Sequence, residues 1–413
     1  MPMRRRSASS PGLHPLHRLW RVLPAERRRR LLTRGSALLA PRPDQPPPAA
    51  QAGLAVGGEI ERPSGLGEGA RLMLAGLTAL GVPCWGFRAG LPLPGERAHK
   101  LPALPPAGAP LVLHVNAPQL PAALLRLPRE LLRGRRIIGY WAWELPVVPD
   151  TWRPGTGFVH EVWVPSRFTA AAMAALLPGR VRVVPHPVAA NPPRPAALDR
   201  DAFGLPRAAV ITLASFSLAS SFARKNPLGA IAAHRAAFGD RPDRILLLKI
   251  GQSHHAPADM AALREEAAGA ANIRFETRTL PPADSHALTL ACDILLSLHR
   301  SEGFGLVPAE AMLLGRPVVA TGWSGNMDFM DADCAWLIPA ALVPARDPRG
   351  VFEAPGAVWA EPDQAAAVAA LVRLAADPAA RVALGERGRQ AAMARLGTTG
   401  LAEAVAALGL TSA

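Results

Sequence analysis

The stretch DILLSLHRSEGFGLVPAEAMLLGRPVVAT, residues 293–321, decides the fold of this chain. It begins as an apolar strand, passes through a loop with two glycines, continues as a helix and ends in a second apolar strand. Pro308 fits the first helical position and Gly315 fits the position just past the helix end. The pattern therefore predicts a strand–loop–helix–strand unit of a parallel sheet.

Two carboxylates in this stretch are predicted to lie close together. Glu302 is placed on the loop after the strand and Glu310 in the first helical turn. Between them Gly303 and Gly305 let the backbone pass close to a ligand, and the free N–H groups of a helix start suit phosphate. Because carboxylates accept hydrogen bonds from hydroxyls, the combination indicates a ligand with both hydroxyls and a diphosphate, which describes a nucleotide-sugar.

The same alternation of strands and helices extends to both sides of this stretch. It begins near residue 54, breaks at the Pro-rich segment 191–197 and restarts at residue 209. Short apolar strands that alternate with helices indicate a parallel sheet covered on both faces. We predict an α/β chain with two Rossmann-like, doubly wound domains that face an interdomain cleft, where such folds bind ligands.

The segment Ser301-Glu-Gly-Phe-Gly-Leu-Val-Pro-Ala-Glu-Ala-Met resembles the Glu-x7-Glu motif of retaining GT-B glycosyltransferases, specifically glycosyltransferase family 4 (group 1). The resemblance covers residues 205–340 well and 55–190 weakly. It implies that Glu310 binds the nucleotide ribose and that Glu302 contacts hydroxyls of the donor sugar at the catalytic centre. It also implies that the backbone between them helps to bind the donor, through Gly303, Phe304, Gly305 and Leu306.

The expected organisation of the chain follows from this resemblance and from the composition. The predicted parts are a basic, Pro- and Arg-rich disordered tail (1–50), an N-terminal acceptor-side domain (51–190), a linker (191–204), a C-terminal nucleotide-sugar-binding domain (205–378) and C-terminal helices (379–413), for which packing back on the N-terminal domain is one option.

Lys225 is the leading candidate for a cation that offsets charge on the departing diphosphate. Only three of the 46 basic residues are lysines, so a lysine between a strand and a helix suggests a site that needs a compact ammonium. The resemblance implies an Arg and a Lys here, but Ser217 or Leu218 stands where the Arg is expected, and Arg224 is the candidate replacement. The alternative for Lys225 is an exposed basic residue at a helix start. Lys249 ends a strand and either approaches the cleft or lies on its rim.

Further candidates border the predicted cleft. Among these, a Gly-rich turn resembles the family loop that approaches the donor phosphates or the acceptor, although it can also be only a tight connection. Two residues near strand ends are catalytic candidates with a structural role as the alternative. The candidates are Gly65 and Gly67 in the turn, His114 and Glu144 near the strand ends, and Ser324, Gly325 and Asn326 for the donor diphosphate or sugar.

Most of the formal net charge of +14 lies in residues 1–50, which carry eleven arginines against Glu26 and Asp44. The tail is a solvated extension or a segment that settles on anionic lipid head groups; we expect no nucleic-acid partner. Three widely spaced cysteines and no apolar run long enough for a signal peptide or a span favour a cytoplasmic protein, with peripheral membrane contact as an option.

We expect transfer without a metal or a bound cofactor, with the nucleotide-sugar as co-substrate. No Asp-x-Asp motif stands at a strand end, and no His/Asp cluster has metal-ligand spacing. The resemblance implies retention at the anomeric carbon, a saccharide or lipid-linked glycan acceptor, and a role in bacterial surface polysaccharide biosynthesis. The alternatives are a nucleotide-sugar epimerase or phosphorylase on the same fold, or a basic membrane or nucleic-acid binder that is not an enzyme.

Overall fold

In the computed structural model, the described residues, 25–91 and 104–410, form two parallel six-stranded sheets and a short antiparallel hairpin. Each large sheet is covered by helices on both faces, so that its central strands are apolar and buried, while the edge strands are partly exposed. The predicted fold class, two Rossmann-like domains in the α/β class, is confirmed.

The N-terminal sheet has the strand order β2-β1-β3-β4-β5-β6. Its order reverses between β1 and β3, so the switch point lies there. The elements are α1 (Ala25–Leu39), β1 (Leu54–Gly58), α2 (Gly65–Ala79), β2 (Cys84–Arg88), β3 (Leu111–Leu113), α3 (Leu120–Leu124), α4 (Arg129–Leu132), β4 (Ile137–Tyr140), β5 (Glu161–Val164), α5 (Arg167–Ala174) and β6 (Val181–Val183), with a 3-10 segment at Asp150–Phe158.

The C-terminal sheet has the strand order β12-β11-β10-β7-β8-β9 and reverses between β7 and β10. Its elements are β7 (Val210–Ser217), α6 (Phe222–Lys225), α7 (Pro227–Phe238), β8 (Arg244–Gly251), α8 (Pro257–Glu266), β9 (Ile273–Glu276), α9 (Pro282–Ala291), β10 (Ile294–Ser297), α10 (Leu306–Leu313), β11 (Val318–Thr321) and β12 (Trp336–Ile338). After the hairpin of β13 (Ala340–Pro344) and β14 (Val358–Pro362) come α11 (Gln364–Ala376), α12 (Pro378–Arg395) and α13 (Thr399–Ala407).

The antiparallel hairpin of β13 and β14 was not predicted and connects the two halves of the molecule. Its strands alternate too weakly to signal a buried element, since β13 is mostly exposed. The loop between them carries Phe352, whose ring stacks on Trp143 of the N-terminal domain at 5.4 Å between centroids. Phe352 and Trp359 belong to the same apolar cluster as the N-terminal sheet.

Helix α13 packs on the N-terminal domain at the end of the chain. Leu401 and Ala404 share an apolar cluster with Leu54 and Met73 of the N-terminal core. Gly76 of α2 permits this approach, because a Cβ there would lie 2.9 Å from the side chain of Leu401. By contrast, α12 packs on α10 in the C-terminal domain, so the C-terminal helices are divided between the two domains.

The predicted disorder of the N-terminal tail differs from the structure. Residues 25–39 form helix α1 instead of a disordered tail, because Thr33, Ser36 and Ala40 are buried against the N-terminal domain and the Thr33 hydroxyl donates to the carbonyl of Pro118 (3.2 Å). The expectation of disorder is therefore wrong for residues 25–50, while residues 1–24 lie outside the described part. Across that part, no helix combines the length and the apolar character needed to cross a bilayer.

Helix α10 begins earlier than the proline suggests. Gly305 caps it in the left-handed region at φ 105°, and the helix starts at Leu306. Pro308 is consequently the third helical residue and Glu310 lies in the second turn. A Cβ at residue 305 would be strained at this φ, so the glycine in the motif fixes where the helix begins.

Candidate active site

Glu302 and Lys225 meet at the switch point of the C-terminal sheet. The loop after β7 leads to Lys225 at the end of α6, and the loop after β10 leads to Glu302. Since β7 and β10 are the neighbouring strands at which the order reverses, both loops rise from the same crevice. The Lys225 ammonium donates to Oε1 of Glu302.

Glu302 is a buried carboxylate with two cations around it. Besides Lys225, Nη1 of Arg224 lies 3.2 Å from its Oε2, and its backbone N–H donates to the Ser324 hydroxyl (2.9 Å). Burial by itself would raise the pKa of Glu302, but the charges of Lys225 and Arg224 lower it to about 2. Glu302 is therefore an anion throughout the physiological range.

Arg224 is held almost entirely by protein groups and is only 2% exposed. Its Nη1 donates to the carbonyl of Ser301 (2.6 Å) and its Nη2 to the hydroxyl of Ser220 (2.7 Å). Its guanidinium also lies over the Phe352 ring, 5.0 Å from the centroid. Because both terminal nitrogens have protein partners, Arg224 orients its neighbours and has little left to offer a diphosphate.

Glu144 brings an N-terminal carboxylate to the same cluster. Its Oε1 lies 3.7 Å from Nη2 of Arg224, and its backbone carbonyl accepts the Ser301 hydroxyl. Its side chain also borders the motif loop, since a Cβ on Gly303 would lie 3.6 Å from Cγ of Glu144. Burial raises the pKa of Glu144, and the charge of Arg224 opposes that rise.

The loop after Glu302 is fixed through its carbonyl groups, which leaves its N–H groups available. The Ser166 hydroxyl of the N-terminal domain donates to the carbonyl of Gly303 (2.6 Å). The backbone N–H groups of 303–306 donate to no other residue within the described part of the chain. Phe304 itself is buried between Phe329 and His186, so the donor function predicted for residues 303–306 falls to their backbone.

Glu310 lies farther along the cleft, next to groups of both domains. Burial and the charge of Glu68, on α2 of the N-terminal domain, raise its pKa to about 8, and Lys249 opposes this rise. Lys249 is the register partner of Glu276 on the neighbouring strand. Glu310 is therefore close enough to Glu68 of the N-terminal domain and to Lys249 for both charges to shift its pKa.

The remaining residues predicted from the first domain occupy different positions. Gly65 and Gly67, predicted in a loop, lie in the first turn of α2. Gly67 is buried, and a Cβ there would lie 2.4 Å from the carbonyl of Glu59, whereas Gly65 is exposed with open space around it. His114 is 1% exposed, stacks on Tyr140 at 4.3 Å, and neither ring nitrogen has a partner in the described residues. Burial and the nearby His186 hold the pKa of His114 well below its usual value.

The turn after β11 supports Glu302 instead of lining an open surface. Ser324, at φ 83°, accepts the N–H of Glu302 (2.9 Å), and the N–H of Gly325 donates to the carbonyl of Glu302 (2.9 Å). Asn326 is completely buried and contacts His299 (3.1 Å). In this conformation Asn326 has no surface to offer a donor.

Ser217, also predicted to bind the donor, lies at the end of β7, where its hydroxyl accepts the N–H of Ala219 (3.3 Å).

Sequence reasoning missed the groups that hold this site together. Asp347 in the hairpin loop is 1% exposed and accepts the hydroxyl of Ser221 (3.0 Å) and the N–H of Phe352 (3.0 Å). The run Asp347-Pro-Arg-Gly is a turn signal that could have located this loop.

In residues 25–91 and 104–410, no three or more His, Cys, Asp or Glu side chains are arranged to hold a metal ion. Metal independence stays a prediction.

Comparison with known proteins identifies the part of the chain that carries the site. Residues 222–377 match the family model described as glycosyl transferases group 1. The match covers most of the C-terminal domain, which is thus similar to group 1 glycosyltransferase domains. A curated relative, the D-inositol 3-phosphate glycosyltransferase of Corynebacterium urealyticum, is 31% identical over 134 residues, which span 32% of this chain and 30% of the relative.

Solved structures show that the two domains together have the GT-B fold. Sucrose-phosphate synthase from Thermosynechococcus elongatus superposes with a TM-score of 0.61 at 17% identity, over 86% of this chain and 98% of that one. HepE from Anabaena, solved with UDP and glucose, superposes with a TM-score of 0.59 at 13% identity over the same shares of the chains. Both domains of the present chain are included in these superpositions.

The raised pKa of Glu310 predicts a pH-dependent stability. The folded protein holds the Glu310 proton up to about pH 8, whereas the unfolded chain releases it near 4.5, so the folded state loses stability as pH rises through this interval. We expect Glu310→Gln to become progressively more stable than the wild type between about pH 4.5 and 8, as measured by thermal unfolding. Glu265→Gln, an exposed change on α8, is the control; a Glu310→Gln difference that does not vary with pH contradicts the prediction.

Proposed function

We propose that the protein is a retaining, metal-independent glycosyltransferase of family 4 that moves a sugar from a nucleoside diphosphate sugar to a saccharide or glycolipid acceptor. The observation that carries the proposal is the anionic Glu302, held by Lys225 and Arg224 at the switch point. Beside it lie the backbone N–H groups of 303–306, which donate to no residue in the described part of the chain. A carboxylate next to cations and N–H donors suits a ligand that combines hydroxyls with phosphates.

The donor would lie along the C-terminal side of the cleft. Glu310 would accept hydrogen bonds from the ribose hydroxyls, and Glu302 from hydroxyls of the transferred sugar. The N–H groups of 303–306 would face the diphosphate. Lys225 would turn from Glu302 towards the diphosphate when the donor is present, because the ammonium is attracted to the charge of the phosphates and its three N–H donors can be redirected. This arrangement gives each polar group of the donor a partner of complementary charge.

The chemical step exchanges one bond at the anomeric carbon for another. The acceptor oxygen forms a bond to that carbon while the bond to the diphosphate oxygen breaks, and the electron pair leaves with the diphosphate. A donor phosphate oxygen takes the proton of the acceptor hydroxyl. Retention requires the acceptor to approach the face from which the diphosphate departs, and Lys225 would stabilise the charge that develops there.

Contacts between the domains support a closed, dry site. The Ser166 hydroxyl donates to the carbonyl of Gly303, and the Ser301 hydroxyl to that of Glu144. Excluding water protects the donor from hydrolysis. The UDP and glucose in the HepE structure support a nucleoside diphosphate donor here, and the curated relative supports transfer to a hydroxyl acceptor. Cytoplasmic location, membrane contact and a role in surface polysaccharide synthesis stay predictions.

Glu310→Ala tests the ribose role. Glu310 is protonated below about pH 8, so the change removes a neutral carboxyl acceptor. Losing two hydrogen bonds of about 0.5–1.5 kcal/mol each should raise the donor dissociation constant by about fivefold to a hundredfold. Calorimetric titration with a panel of UDP-, GDP- and ADP-sugars first identifies the donor and then compares variants. Glu265→Ala is the matched control on α8. Unchanged donor affinity in Glu310→Ala would remove the ribose role.

Lys225→Ala tests the leaving-group role. We expect turnover to fall by about a hundredfold, because a positioned cation stabilises the diphosphate mainly in the transition state. Lys225→Arg keeps the charge and should recover part of the loss. Steady-state kinetics with the identified donor separates kcat from KM. Wild-type turnover in Lys225→Ala, or sugar conversion with the donor alone and no acceptor, contradicts the proposed transfer.

A further inference from the structure

A large chamber lies beside the active site and is not used by the donor described above. Its volume is about 1750 Å³, well above the roughly 300–1,000 Å³ typical of a site for one small molecule. One wall comes from α1 and the 150–154 turn of the N-terminal domain, and the opposite wall from the hairpin loop 344–355. The chamber is therefore large enough for a ligand longer than a single sugar.

The inner end of the chamber reaches the catalytic cluster. Glu144, Ser220 and Ser221 line it. Glu144 lies 3.7 Å from Arg224, and Arg224 lies 3.2 Å from Glu302. Neither Glu310 nor Lys249 is among the lining residues. The chamber thus opens on the side of Glu302 that faces the N-terminal domain, and a single arginine separates its inner end from the carboxylate assigned to the donor sugar.

The outer part of the chamber has arginines on both walls. Arg34 of α1 and Arg346 of the hairpin loop are exposed lining residues. Neither forms an ion pair or a hydrogen bond with any residue in the part of the chain that the structure describes. The four acidic lining residues already have partners. Asp347 accepts N–H groups of its own loop and Glu353 accepts the N–H of Asp347 (3.2 Å). Glu144 faces Arg224, and Asp150 lies 3.9 Å from Arg153. Two arginines on facing walls favour a ligand with negative charge.

The hairpin loop that forms one wall is rigidly attached. Asp347 accepts the Ser221 hydroxyl (3.0 Å), and Phe352 stacks on Trp143 (5.4 Å). Ser221 caps the helix that carries Arg224 and Lys225. The loop is thus connected both to the cation-bearing helix and to the N-terminal domain, so that the chamber keeps its shape relative to the reacting groups.

We propose that this chamber binds the acceptor as an acidic oligosaccharide, with its reacting end at Glu144 and its charged units between Arg34 and Arg346. This inference rests on the proposed function and adds the chemical class and length of the acceptor. Glu144 accepts a hydrogen bond from a hydroxyl next to the attacking one on the terminal acceptor sugar, which orients that sugar towards the donor at Glu302. Neutral or single-sugar ligands lack either the charge or the length to engage both ends.

The test measures binding of three defined probes to the whole protein by calorimetric titration. The probes are tetragalacturonate, the galacturonate monomer and neutral maltotetraose. We expect tetragalacturonate to bind about tenfold more tightly than either of the others, and Arg34→Glu combined with Arg346→Glu to remove that advantage. The matched control combines Arg129→Glu with Arg264→Glu, which are exposed arginines outside the chamber and change the net charge equally.

Each outcome decides the proposal. Equal binding of tetragalacturonate and maltotetraose, or of tetragalacturonate and its monomer, overturns it. An equal loss in the control variant also overturns it, because the effect is then general charge attraction. The thermal unfolding midpoint verifies that each variant is folded. Failure of the proposed function is seen separately, as the absence of binding by every nucleotide-sugar in the donor panel.

Discussion

The buried carboxylate of Glu302 is the group on which the site depends. An anion removed from water is costly unless cations and hydrogen-bond donors surround it, and here Lys225 and Arg224 supply the charge while Ser324 accepts the neighbouring N–H. These partners come from the loops after β7 and β11, while Glu302 follows β10. The carboxylate therefore ties the loop after β10 to the segment after β7, and the backbone N–H of Glu302 ties the same loop to the turn after β11.

Arg224 extends this constraint beyond the C-terminal domain. Its guanidinium contacts Glu144 of the N-terminal domain and the Phe352 ring of the hairpin loop, and Phe352 in turn stacks on Trp143. The two lobes and the hairpin consequently meet around one buried arginine. A donor held at Glu302 and an acceptor that reaches Glu144 are thereby brought to the two sides of the same guanidinium.

The features of the fold and of the site that could be predicted from the sequence are those encoded by residues close together in the chain. The parallel alternation, the two domains and the positions of Glu302 and Lys225 on loops at strand ends follow from strand periodicity and a motif confined to a few residues. The contact between Glu302 and Lys225 was not predicted, because it depends on β7 and β10 being neighbours in the sheet. The hairpin was missed because its first strand, Ala-Ala-Leu-Val-Pro, is a short apolar run without the alternation of a half-buried strand, and most of it is exposed. The effect of Glu68 on the pKa of Glu310 and the burial of Asn326 depend on residues distant in sequence, which no local pattern encodes. Arg224 was proposed as a diphosphate cation, but its hydrogen bonds favour a positioning role.

A crystal structure of the protein with the nucleoside diphosphate selected by the donor panel tests the central claim most directly. The account predicts ribose hydroxyls hydrogen-bonded to Glu310, phosphate oxygens facing the N–H groups of 303–306, and Lys225 moved from Glu302 to the diphosphate. A nucleotide bound outside the interdomain cleft, or one in the cleft that contacts neither Glu302 nor Glu310, would contradict it.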